Sequence, residues 1–243
     1  AAYCYDGSYA GFLCCIFESY TRREIPSAVL GPAEGQIALF GTEAIATDPT
    51  HARRVANGLT RLGPMVRERV MTGFLSTEEE KDLILLRFAR RCFDEGPRAV
   101  QMLGDPDVHA AFVLERNVNN EVCRFIEFIR FEEKDGMLGS VIHPKNNVLP
   151  LLRGHFCSRL PDEDFLIFDA AHGTALLRQS GHVQYLAMEH YEPARDAELN
   201  GQALWKRFFH ALTIEERRNA KAQMNHAPKR FWGGMVEMRE PYI

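Results

Sequence analysis

No Cys-x-x-Cys pair, no glycine-rich phosphate loop and no Gly-x-Ser-x-Gly elbow occurs in the 243 residues. The first absence excludes a zinc ribbon, whose tetrahedral site needs ligands at close, paired spacing. The other two remove the main sequence support for nucleotide hydrolysis and for serine-hydrolase chemistry. The six cysteines (Cys4, Cys14, Cys15, Cys92, Cys123 and Cys157) are scattered, with two of them adjacent. They read as reduced, mostly buried thiols of a cytoplasmic protein. No iron–sulfur cluster, no metal and no other cofactor is expected. Long apolar runs are missing too. Tyr9 to Phe17 is apolar, but Asp6 precedes it and Glu18 follows with no basic flank. It is too short for a membrane span and wrong for a signal peptide, so a soluble chain with no membrane partner is expected.

An excess of positive charge is also lacking. The 29 Lys and Arg against 33 Asp and Glu give a net charge of −4. The chain is not a bulk polycation, and any nucleic-acid contact must come from a local patch. What remains is a globular composition, 46% hydrophobic and 26% charged. A chain of this length buries roughly 70–75% of the surface its unfolded form exposes, enough to fold without staples.

Hydrophobic periodicity predicts the organisation. A strand at Tyr3 to Tyr5 ends at Asp6-Gly7, and Ser8 caps a helix whose Leu13, Ile16, Phe17 and Tyr20 form one stripe. Pro26, Gly31, Pro32 and Gly35 break the pattern before a second strand near Glu43 to Thr47. Helices are predicted from Pro49 to Arg61 and from Pro64 to Thr72. Ser76 with Glu79 reads as a capping box for a helix running to about Asp94, with Leu85, Phe88, Ala89 and Cys92 inward. A further helix covers about Pro106 to Asn119. From Arg124 the character changes. Arg124 to Glu132 reads as a strand, turning at Lys134-Asp135-Gly136 into Met137 to Ile142. Asn147 then caps a helix to about Arg159. Three strands follow: Asp164 to Asp169, Thr174 to Gln179, and one from Gly181 through Met188. A long helix over Ala194 to Leu212 and a short one over Glu215 to Gln223 close the chain. The class is α+β: a largely helical N-terminal half, an antiparallel β-meander flanked by helices, and a long C-terminal helix. One domain over 1–243 is expected, with a subdivision into 1–120 and 121–243 as the alternative.

Two features carry chemistry. Trp205 to Trp232 holds seven basic residues against Glu215 and Glu216, and His51 to Met71 holds five arginines against Glu68. Arg217, Arg218, Lys221, Lys229 and Arg230, with Trp232 beside them, are the candidate nucleic-acid contacts. The alternative for both segments is a solvated or salt-bridged helix face. The second feature is a polar cluster around the meander. His155 and Arg159 lie at i, i+4 on one helix face, Asp169 ends a strand, His172 follows it, and Glu127 and Arg130 sit on preceding strands. Arg130, His155, Arg159 and Asp169 are the candidate catalytic set, with His155 as acid or base, Asp169 orienting it and the arginines on phosphate. The alternative is a structural histidine beside an Arg130–Asp169 ion pair. A metal site from His143, His155, Cys157 and His172 is disfavoured, because His155 and Cys157 point about 200° apart on a helix.

Ordered segments then add a resemblance. Arg124-Phe125, Phe128-Ile129-Arg130-Phe131, Pro144-Lys145-Asn146-Asn147-Val148-Leu149-Pro150-Leu151-Leu152, His155-Phe156-x-x-Arg159 and Phe165-Leu166-Ile167-Phe168-Asp169 occur in turn. Leu204-Trp205-Lys206-x-Phe208-Phe209, Ile214-x-Glu216-Arg217-x-Asn219 and Pro228-Lys229-Arg230-Phe231-Trp232 follow, and Tyr5-Asp6-Gly7-Ser8 and Leu39-Phe40 extend the likeness to the whole chain. This set resembles a bacterial family described as DNA metabolism or DNA repair proteins, a domain of unknown function. The resemblance implies a gene neighbour that is a radical S-adenosylmethionine protein of DNA modification or repair. A related domain occurs fused to a uracil-DNA glycosylase-like domain. It implies DNA and the radical-SAM protein as partners and brings no catalytic mechanism. Ala170-Ala171-His172 departs from a pattern that often has a basic residue after the aspartate; Glu127 replaces a small residue and Cys123 a common histidine. Three readings follow, in order: a DNA-associated accessory protein, an enzyme on a modified nucleotide or lesion, and a protein-docking partner.

Overall fold

A computed structural model describes residues 1–32, 41–134, 136–191, 224 and 227–235. The chain divides into two compact units, Ala1–Asn119 and Asn120–Ile243.

In the first unit a three-stranded parallel sheet has β1 (Ala2–Cys4) at its centre, between β2 (Ala28–Leu30) and β3 (Thr42–Ala44). Tyr3 lies opposite both Val29 and Glu43. β2 was not expected; it is a three-residue edge inside a stretch read as Pro- and Gly-broken. Between β1 and β2 runs α1 (Tyr9–Thr21), started by the Ser8 hydroxyl accepting from Gly11 N–H at 2.9 Å. Asp48 caps α2 (Pro49–Leu62) through Thr50 and His51 N–H. Gly63, at φ +117°, separates it from α3 (Pro64–Phe74). α4 (Lys81–Glu95) starts five residues after Ser76 and not at it. The buried Ser76 hydroxyl accepts from Glu78 N–H inside the preceding turn, so the capping box closes a turn and no helix. The core stripe Leu85, Phe88, Ala89 and Cys92 is fully buried as expected, packing with Phe12, Ile16 and Leu59.

α5 (Pro106–Phe128) begins in the first unit and ends in the second. The strand expected from Arg124 is therefore helix as far as Phe128. The reason is visible in burial: Ala111, Leu114, Val118, Val122, Phe125 and Ile129 are inward at intervals of three and four, a 3.6-residue period that outweighs the β-propensity of Phe and Ile. Arg124 and Glu127 pair at i, i+3 on its outer side, 3.1 Å apart.

Among the described residues of the second unit five strands lie in the order of the chain: β4 (Glu132–Lys134), β5 (Met137–Ile142), β6 (Phe165–Asp169), β7 (Thr174–Gln179) and β8 (His182–Ala187). β4–β5, β6–β7 and β7–β8 are antiparallel, but β5 and β6 are parallel. The expected pure meander is thus a mixed sheet. α6 (Leu149–Arg159) carries the chain from one end of β5 back to the other, which is what a parallel pair requires. Every residue of β6 is buried. Leu166 and Phe168 face one side with Ala175 and Leu177, while Phe165 meets Phe131 on the other, where Phe131 also contacts Phe156 of α6. Arg178 of β7 donates to the carbonyls of Leu160, Pro161 and Glu163, closing the turn after α6. The predicted helices over 194–212 and 215–223 lie outside the described residues.

Candidate functional site

At the carboxyl end of the parallel pair β5–β6 lie the segment His143 to Asn147 and the Asp169–His172 hairpin. Ile142 and Asp169 are register partners, and Ala170 N–H donates to Ile142 O at 3.0 Å, so the segments leaving both strands start side by side. Open α/β sheets place ligands outside this end of their strands.

From β5 the chain continues as His143-Pro144-Lys145-Asn146-Asn147, held by Glu121 of α5. Glu121 is 2% exposed. Its Oε1 accepts Lys145 N–H at 3.0 Å; its Oε2 accepts Asn146 N–H at 2.9 Å and Asn146 Nδ2 at 2.7 Å. A buried carboxylate is tolerated where it is fully hydrogen-bonded, and three donors with a cation beside it meet that condition. The cation is Arg230, whose Nη1 lies 3.6 Å from Glu121 Oε1. Val148, whose side chain cannot accept a hydrogen bond, occupies the cap position before α6, so the cap predicted at Asn147 is not formed.

Arg230 belongs to a 3-10 helix, Lys229–Gly234. Phe231 is buried against Phe125 and Phe128 of α5, with ring centroids 5.1 and 5.9 Å away, so it anchors the segment and leaves no face for a base. Trp232 is half-buried; its indole N–H donates to Ala227 O at 2.7 Å, and Lys229 Nζ lies 5.8 Å from its ring centroid. Lys145, Lys229 and Arg230 are exposed. Glu121 therefore ties two basic motifs, distant in sequence, to one helix. Arg217, Arg218 and Lys221 lie outside the described residues.

From β6, Asp169 turns into the hairpin. It is 1% exposed; Oδ1 accepts N–H from Ala171 at 3.0 Å and from His172 at 3.1 Å, and Oδ2 is 2.6 Å from His172 Nδ1. An acceptor-only carboxylate puts the proton on Nδ1 and leaves Nε2 as the basic nitrogen of a partly exposed ring. The partner of Asp169 is thus His172, not His155. His155 stands edge-on to Phe156 at 5.0 Å, and its buried Nε2 has no hydrogen bond among the described residues. Arg130 follows α5, exposed, with Nη1 on the carbonyls of Glu127 and Ile129 at 3.4 and 3.3 Å. Arg159 is exposed on α6. Among the described residues, no hydrogen bond or ion pair joins any two of Arg130, His155, Arg159 and Asp169. Nor does any group of three His, Cys, Asp or Glu side chains among them stand ready to hold a metal ion. Glu121 was missed altogether; its only signal was a charge on the inward face of the extended α5 stripe.

The five arginines of His51 to Met71 separate. Arg69 is buried, its Nε 2.7 Å from Glu115 Oε2 and its Nη1 donating to Val100 O at 2.8 Å, between the rings of Phe88 and Phe112. Arg53, Arg54, Arg61 and Arg67 are exposed. None of the six cysteines is disulfide-bonded, and no helix among the described residues is long and apolar enough to cross a membrane.

Residues 79–237 match a family model described as a domain of unknown function, DUF4130. No curated protein and no solved structure matches the chain.

Proposed function

The chain belongs to the DUF4130 family, and we propose that it acts there as a DNA-associated protein of DNA metabolism or repair. The observation that carries this reading is the Glu121 node. It ties the Lys145 backbone and the Arg230 guanidinium to one carboxylate, and the exposed Lys229 lies over the half-buried Trp232 in the same 3-10 helix as Arg230, on an otherwise acidic protein. Cations over phosphates with an indole beside them are the parts of a backbone-tracking nucleic-acid surface. Arg217, Arg218 and Lys221 extend the same stretch of sequence. The resemblance of the motifs to proteins encoded beside a radical S-adenosylmethionine enzyme supplies the DNA context and that enzyme as the partner.

The test is a salt titration of binding to single- and double-stranded DNA, on the native chain and on a variant with Arg217, Arg218, Lys221 and Lys229 changed to Glu. Arg230 is kept, because a carboxylate there would face Glu121. Binding that weakens log-linearly with salt, by a slope of about 0.7–0.9 per phosphate contact, and vanishes in the variant supports the reading. Binding that ignores salt, or persists in the variant, overturns it.

A second reading rests on the Asp169–His172 pair. A buried carboxylate fixing one imidazole nitrogen and leaving the other basic is the orienter-and-base arrangement of acid–base catalysis, here on a modified nucleotide or a lesion. Product formation from uracil- or abasic-site duplexes that His172→Gln abolishes, with DNA affinity retained, supports it. Equal turnover by that variant rules it out.

A further inference from the structure

The first unit carries a groove of about 740 Å³ between α1, α2 and α4, within the size range of small-ligand pockets. Its floor is aromatic. Phe17, Tyr20 and Phe93 line it, with Tyr20 38% exposed and its ring at 87° to that of Phe93, centroids 6.1 Å apart. Gly58 of α2 makes this floor possible, since a Cβ there would fall 2.7 Å from the Phe93 ring. Tyr20 is fixed from behind: the Arg90 guanidinium lies 4.2 Å from its centroid and is itself pinned by Ser19 O and Glu24 O. The Tyr20 hydroxyl donates to Asp94 at 3.0 Å. Burial, and then this bond, push its phenol well above the ordinary range, so it remains a donor at neutral pH.

The rim is cationic. Arg54 and Arg61 are seven residues apart on one face of α2, about 10 Å along its axis. Both are exposed, and neither is ion-paired among the described residues. Arg54 also lies 5.8 Å from the Phe17 centroid. Asp94, the acidic residue of the lining, is turned onto Tyr20 and keeps lone pairs for a donor.

We propose that this groove binds a nucleotide, with the base on Tyr20 and Phe93 and the phosphate on Arg54 and Arg61. Guanidinium groups match phosphate oxygens in a bidentate fork, and aromatic rings take bases in a sequence-tolerant way. The carboxylate of Asp94 accepts from an exocyclic amine, favouring cytosine over thymine. An apolar peptide segment would leave both arginines unanswered. All lining residues lie in the first unit, so the inference stands apart from the Glu121 surface. The nucleotide is either free or an unpaired residue of a strand.

The experiment measures binding of deoxycytidine monophosphate, deoxycytidine and a ten-residue oligo(dC), by calorimetry and ligand-observed NMR. The proteins are the native chain, Arg54→Glu/Arg61→Glu, Thr21→Trp, which fills the groove from its exposed edge, and Lys229→Glu. Thermal melts check that each variant is folded. Monophosphate binding reduced at least tenfold in the first two variants supports a free nucleotide; oligo(dC) binding reduced as much in them, without monophosphate binding and whether or not Lys229→Glu also weakens it, supports a strand residue. Equal affinity for nucleoside and monophosphate removes the arginine role and overturns the proposal. So does binding that both groove variants retain, or no binding at all. Oligo(dC) binding lost only in Lys229→Glu overturns it while leaving the C-terminal surface standing.

Discussion

Asn146 gives both its backbone N–H and its side-chain amide to a single oxygen of Glu121, at 2.9 and 2.7 Å. Bonding of this kind needs a full carboxylate, because the second oxygen is already engaged by Lys145 N–H and faces Arg230. The loop after β5 and the C-terminal 3-10 helix are thereby held to one buried charge.

Glu121→Gln puts an amide NH2 against donors that had an oxygen. We expect a loss of about 3 kcal/mol of stability in urea, since breaking a buried charged network leaves its partners unsatisfied. A change under about 0.5 kcal/mol, the size of an ordinary surface substitution, would show that the node contributes nothing.

Gly139 of β5 sits directly beneath the Tyr191 hydroxyl, with no room for a Cβ. Gly139→Ala must drive that ring aside, at about 1–3 kcal/mol. Denaturant melts of the single variant and of Gly139→Ala/Tyr191→Leu check it, the shorter side chain recovering part of the loss.

Thiol chemistry should follow burial. Cys15 and Cys92 are fully buried, and burial pushes Cys92 up to about 12 and Cys15 higher still. Cys123 is exposed. Timed iodoacetamide labelling read by peptide mass spectrometry should find Cys123 modified first and Cys15 and Cys92 last. Early labelling of Cys92 would contradict the packing of α4.

Acid should weaken the first unit in part through two of its carboxylates. Asp48 is held below the usual range by the N–H groups of His51 and Thr50, and Asp6 by the hydroxyls of Ser8 and Thr47. A folded pKa below the unfolded one means stability that is complete above the unfolded value, near 4, and is lost as pH falls through the folded one. Melting temperature should drop below about pH 4. In Asp6→Asn/Asp48→Asn it should start lower at neutral pH and fall less steeply, whereas parallel curves would remove these groups from the acid response.

Local signals were legible where one residue decides one feature. The Ser8 cap, the Thr174 to Gln179 strand and the Leu85 to Cys92 stripe stand as read, and the strands read over Asp164 to Asp169 and Gly181 to Met188 stand to within a residue at their ends. What misled was competition between levels. Phe125 and Ile129 suggested a strand while their spacing continued a helix, and Ser76 had the partners of a helix cap but served a turn. The helix expected between β5 and β6 already implied the return path of a parallel pair, and the hairpins on either side of it argued for a meander instead. At the candidate site the motifs were visible, yet their pairing was not. Asp169 takes the histidine three residues on, and Glu121 works through backbone amides that no side-chain pattern records.

Arg178 spends its guanidinium on three carbonyls of the turn between α6 and β6, from a strand that follows that turn in the chain. The crossover is consequently incomplete until the next hairpin has docked. Those carbonyls wait on a side chain synthesised later, so α6, its turn and the β7–β8 hairpin should open and close as one cooperative block. Fraying of α6 at its C-terminus is then a property of the hairpin as much as of the helix.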